Sequence, residues 1–110
     1  MRGTGELLFV SGQIGWDGAE KLVSPAFLPQ FSQALANVLE VVSEAGGGPT
    51  SIVRLVIYVT DKKAYLSQVK EVGEAYRARM GKHFPAMALL EVKSLLEDGA
   101  QVEIEAVALL

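Results

Sequence analysis

The chain has 110 residues, 50% of them hydrophobic and 21% charged, with no cysteine, one histidine and a formal net charge of −3. That length suits one domain, residues 1–110, around one core, and the lack of cysteine excludes disulfides, thiolate metal sites and a cysteine nucleophile. A lone His83 excludes a multi-histidine metal centre, and the acidic balance argues against duplex nucleic acid, which calls for clustered Lys and Arg.

Residues 6–11 read as a strand stopped by Gly12, and Gly15-Trp16-Asp17-Gly18 carries turn chemistry. Lys21-Leu22-Val23 suits a short second strand, after which Pro25 or Pro29 opens a helix. Phe27, Phe31, Leu35, Val38 and Val42 form its apolar stripe, and Gly46-Gly47-Gly48-Pro49 ends it. Residues 51–60 alternate, with Val53, Leu55, Ile57 and Val59 facing one way and Arg54, Val56, Tyr58 and Thr60 the other. Thr60-Asp61 caps a second helix, whose stripe runs through Tyr65 or Leu66, Val69, Val72, Tyr76 and Met80 to Gly81. After Pro85, residues 86–92 are strand-like, with Met87, Leu89 and Glu91 sharing a face. Glu97-Asp98-Gly99 turns the chain into a last strand, residues 102–108. There Val102, Ile104, Ala106 and Ala108 face one side and Glu103, Glu105 and Val107 the other.

The order β(β)–α–β–α–β–β gives two amphipathic helices, enough to cover one face of a sheet, and so predicts an α+β two-layer sandwich. The open face then mixes apolar and charged residues. Together with a mean hydropathy of +0.29, this predicts an oligomer that hides part of its apolar surface. No apolar run nears the roughly 20 residues that span a bilayer, and the first residues lack the pattern of a signal peptide. The expectation is a soluble cytoplasmic protein with no membrane partner.

Glu103 and Glu105 are the first candidates for chemistry, as two carboxylates on one strand face that can act as acids or bases or pair with basic residues. Arg54 suits an ion pair with one of them, or a ligand carboxylate. Ser11-Gly12-Gln13 offers a hydroxyl, a close-approach backbone and an amide, or simply a turn. His83 suits a surface or helix-terminal role. The triple glycine lacks the Lys-Ser/Thr of a phosphate loop, and Lys62-Lys63 with Arg77, Arg79 and Lys82 suits solvated helix faces.

Five stretches in order resemble the YjgF/RidA family of reactive-intermediate deaminases. They are Leu8-Phe9-Val10-Ser11-Gly12-Gln13-Ile14, Gln30-x-x-Gln33-Ala34-Leu35-x-Asn37 leading to Ala45-Gly46, Val53-x-x-x-Ile57-x-Val59-Thr60-Asp61, His83-Phe84-Pro85-Ala86, and Val102-Glu103-Ile104-Glu105-Ala106-Val107-Ala108. The resemblance implies a chorismate mutase-like fold and a homotrimer with a small-molecule ligand in each of three clefts between subunits. It also implies metal-independent hydrolysis of 2-imino or 2-enamino acids to 2-keto acids and ammonia, without a cofactor. In that pattern Glu103 is the catalytic candidate that places water, and Ser11, Gly12, Ile14, Met87 and the backbone at Leu89 line the cleft. Two departures stand out. Met87 occupies the position of the family arginine that clamps the substrate carboxylate, and a thioether cannot replace a bidentate, charged partner. The Pro-Tyr-Ser stretch and first strand usual in the family before the segment that begins here at Gly5 are missing, which implies a more open cleft or an unusual start to the chain.

Three functions compete on this reading. The first is hydrolysis of imines or enamines other than the usual 2-imino acids. The second is a trimer that binds or senses a small ligand without turnover. The third, endoribonuclease activity, is disfavoured by the net charge and by the lack of a general-base histidine.

Overall fold

A computed structural model describes residues 1–110. Four strands form one mixed sheet in the order β1-β4-β2-β3: β1 is Leu7–Ile14, β2 Ile52–Val59, β3 Ala86–Glu91 and β4 Val102–Leu109. β4 lies antiparallel between β1 and β2, and β3 runs parallel to β2 at the edge. Helices α1 (Phe27–Glu44), α2 (Lys62–Leu66) and α3 (Val69–Met80) complete the chain, and α1 and α3 pack together over one face. The expected two-layer α+β sandwich is therefore observed.

The core lies between that helical layer and the sheet. Phe31, Leu35, Val38 and Val42 of α1 meet Leu55, Ile57 and Val59 of β2 and Val102, Ile104 and Ala106 of β4. Each large side chain fully buried here contributes about 1.5–3 kcal/mol. Pro29 sits in the first turn of α1, where a missing N–H costs nothing. At the other end Gly46, at φ +96, turns left-handed. The Gly46 N–H donates to Ser43 and the Gly47 N–H to Val42, at 3.0 and 2.9 Å, which completes a Schellman cap.

Four local expectations change. Lys21-Leu22-Val23 is not a strand; Leu22 makes an isolated bridge to Trp16. A register shift between Ile52 and Arg54 puts Ile52 in the core and leaves Val53 half-buried. The second helix breaks at Ser67-Gln68, because the Ser67 hydroxyl and the Gln68 amide both donate to the Ala64 carbonyl. Tyr65, not Leu66, then packs on the core. His83 is not a free surface side chain: its Nε2 donates to the Ile52 carbonyl at 2.7 Å, and its own carbonyl accepts from the Tyr76 hydroxyl.

The amides of the α1 pattern have structural work. Asn37 Nδ2 donates to the carbonyls of Ile14 and Trp16 at 3.0 and 2.9 Å, and Gln33 orients it by donating to its Oδ1. These bonds fasten the end of β1 to α1. Gly15 lets the two backbones close up, since a Cβ there would stand 2.5 Å from the Gln30 Cα.

Candidate functional site

The expected cleft residues fall into two groups on opposite sides of the sheet. The first group centres on an irregularity in β1. Val10 pairs with Ala106 and Gln13 with Ile104, so three steps on β1 oppose two on β4. The extra residue makes a bulge at Ser11-Gly12, a device that re-aims side chains beside functional sites. The Glu103 carboxylate lies against this bulge: a Cβ on Gly12 would stand 2.5 Å from its Oε2 and 2.7 Å from its Cδ. Gly12 therefore leaves the space that the glutamate side chain occupies; any larger residue there would push that side chain aside. Ile14 is directly opposite Glu103 in the register and is buried, while Ser11 is exposed and Glu103 half-buried.

Glu105 shares the open face with Glu103 but is engaged differently. Its Oε1 accepts a hydrogen bond from the Tyr58 hydroxyl at 2.5 Å. Tyr58, not Arg54, is the partner that holds this carboxylate, contrary to the expected ion pair. The bond, with burial and the charges of Glu105 and Glu103, pushes the Tyr58 phenol above its ordinary 10.0. Arg54 stands on the rim of a hollow of about 280 Å³ that also contains Phe9, Ser11, Val56 and Glu105. Leu7, Phe9 and Leu90 are exposed around these polar groups, so the open face is apolar with carboxylates set in it.

The second group is Met87 and Leu89. Parallel pairing places Met87 beside Leu55 and Leu89 beside Ile57, and both β2 residues face the helices. Met87 and Leu89 therefore line a groove of about 320 Å³ between α3 and β3, walled also by Val69, Val72, Tyr76 and Phe84. The structure brings together Ser11, Gly12, Ile14 and Glu103, and separately Met87 and Leu89; it does not join the two groups within one chain. Sequence reasoning read Arg77 as part of a solvated helix face and passed over Gly73; both line the second groove. The available signal was a glycine inside a helix, four residues before an arginine. No group of three or more His, Cys, Asp or Glu is placed to hold a metal ion, and no helix is long and apolar enough to cross a membrane.

Comparison with known proteins adds the following. The sequence model of a family described as endoribonuclease L-PSP matches residues 1–110. A 2-iminobutanoate/2-iminopropanoate deaminase of Homo sapiens is 34% identical over 93% of this chain and 72% of its own. Among solved structures, the Rid-family protein YyfB of Yersinia pestis superposes with a TM-score of 0.85 at 32% identity, covering 96% of this chain and 80% of the other. The YjgF gene product of E. coli gives a TM-score of 0.82 at 30% identity, covering 98% and 84%.

Proposed function

Because this chain belongs to the YjgF/RidA family, that of the endoribonuclease L-PSP model, we propose that it forms trimers with small-molecule clefts between subunits and hydrolyses imines or enamines there. Its substrates on this reading are not the short 2-imino acids named for the human relative, because Met87 stands where the family arginine would clamp their carboxylate. The observation that carries the chemistry is Glu103, held against the Gly12 bulge on a sheet face that mixes apolar and polar groups. The trimer is supported by the exposed apolar residues of that face, and by the two half-sites on opposite sides of the sheet. Groups that cannot meet within one chain can meet between copies.

The chemistry needs neither redox partner nor nucleophilic side chain. Water adds to the imine carbon, a C–O bond forms, and Glu103 takes the water's proton. The carbinolamine so formed receives that proton back on nitrogen. The hydroxyl's proton then passes through Glu103 to the same nitrogen as the C–N bond breaks, so that ammonia leaves and a carbonyl remains. The backbone at Leu89 holds the imine nitrogen and Ser11 closes the rim. General acid–base help of this kind contributes on the order of 10²–10⁴ in rate. Met87 favours a second reading, a trimer that binds a small ligand without turnover. RNA cleavage finds less support: the chain is acidic, and the only histidine ring is tied to the Ile52 carbonyl.

The test is ammonia and keto-acid release from freshly generated 2-aminoacrylate. Wild type is expected to be slow, and Met87→Arg faster by about tenfold or more, as restoring a desolvated charged contact implies. Rapid wild-type turnover would show that Met87 does not disable the usual chemistry. Light scattering is expected to give three chains of 11.8 kDa each; a monomer would remove the inter-subunit cleft altogether.

A further inference from the structure

The groove between α3 and β3 has a charged end that the family pattern does not assign. Val69, Gly73 and Arg77 are spaced four apart, so they form one row along α3 facing the groove. Phe84, Met87 and Leu89 form the opposite wall. Arg77 is the only charged residue among the twelve that line it. Its guanidinium folds back along the helix, with Nη1 3.2 Å from where a Cβ on Gly73 would be. Glycine inside a helix costs roughly 1 kcal/mol against alanine, and Gly73 has no left-handed backbone to explain it. What Gly73 supplies is space: it lowers the groove wall and leaves the guanidinium lying over the opening.

We propose that this groove binds a small monocarboxylate with a bulky apolar body, the carboxylate on Arg77 and the body between Gly73 and Met87. Arg77 thus takes over, from the helix side, the clamp that position 87 lacks. A volume of about 320 Å³ is at the small end of ligand pockets, which run from about 300 to 1,000 Å³. The apolar walls select an aryl or branched side chain over a methyl or ethyl group, and the single cation selects one negative charge. That the bound acid is also the imine substrate rests on the proposed hydrolysis. On that reading the substrates are 2-imino acids with large apolar side chains.

Phenylacetate, its neutral isostere phenylacetamide, and acetate serve as probes, with binding measured by calorimetry and by methyl resonances of Val69, Met87 and Leu89. Wild type is expected to bind phenylacetate with shifts at these three residues, and to bind acetate far more weakly. Arg77→Gln is expected to weaken phenylacetate about ten- to a hundredfold, the loss of one charge-assisted contact, and to leave phenylacetamide unchanged. Gly73→Val is expected to weaken both aryl probes. Equal phenylacetate affinity in wild type and Arg77→Gln overturns the proposal. So does the absence of shifts at Val69 and Met87, the result expected if a second copy of the chain fills the groove. Binding and turnover separate the two readings, because phenylacetate carries no imine. A failure of imine hydrolysis in a wild type that binds phenylacetate would sink the catalytic reading and leave the carboxylate groove standing.

Discussion

Gln30→Leu is expected to lower the stability of the fold by about 2–4 kcal/mol, because three part-buried hydrogen bonds of one buried amide are lost at once. Gln30 is fully buried, at 0% exposure. Its Nε2 donates to the carbonyls of Ser24 and Gly99, each at 2.9 Å, and its Oε1 accepts from the Gln101 N–H at 2.8 Å. Leucine fills similar volume but leaves two carbonyls and an N–H without their partner in part-buried surroundings, and each hydrogen bond lost costs about 0.5–1.5 kcal/mol. Urea unfolding checks this: with a slope of about 1–3 kcal/mol per molar for a small protein, the midpoint should fall by about 1 M or more. A loss below about 1 kcal/mol would mean that water replaces the amide without penalty. The effect reaches the site, because Gln30 fastens the first turn of α1 to the residues that lead into β4, and β4 carries Glu103.

Gln30 also shows where the sequence stops being legible. It lies three residues after Phe27, on the buried stripe of α1, yet periodicity registers apolar residues and passes over an amide. Its partners Gly99 and Gln101 are 69 and 71 residues away, beyond the reach of any local pattern. The strands themselves were legible, since alternation in residues 102–108 fixes which side of β4 faces the helices. Bulges were not. One extra residue at Ser11-Gly12 and a shift near Val53 leave the residue types unchanged and alter only which face they take. The break after Leu66 arises from local side-chain bonds that compete with the helix, and these too leave the apolar spacing intact. The candidate site was legible only in part. Glu103 and Gly12 were readable by resemblance, and the structure adds the reason they occur together: one occupies the space the other leaves. The sidedness of Met87 was hidden, because an isolated strand alternates equally well either way up. Only the parallel register with Leu55 turns Met87 toward the helices, and that register depends on the α2–α3 crossover.

Glu103→Gln is expected to reduce imine hydrolysis by about a hundredfold or more, at the lower part of the 10²–10⁴ range for general acid–base groups. The substitution keeps the shape that rests on Gly12 and removes the group that accepts the water's proton. The loss should therefore fall on kcat, with KM little changed and the unfolding free energy within about 0.5 kcal/mol of wild type, as for substitutions that break no buried contact. Glu105→Gln is the matched comparison. It sits on the same strand face, but its carboxylate is occupied by the Tyr58 hydroxyl, so turnover should change far less. Both variants are best measured with a large apolar 2-imino acid, generated from its amino acid by an oxidase, and again in the Met87→Arg background with 2-aminoacrylate. The second background matters because wild type is expected to be slow on the short substrate, which would compress any difference. Equal losses in Glu103→Gln and Glu105→Gln would point to general disturbance of the sheet face. Full activity in Glu103→Gln with both substrates would remove this glutamate from the chemistry. The protein would then stand as a binding protein, its function resting on the groove lined by Arg77.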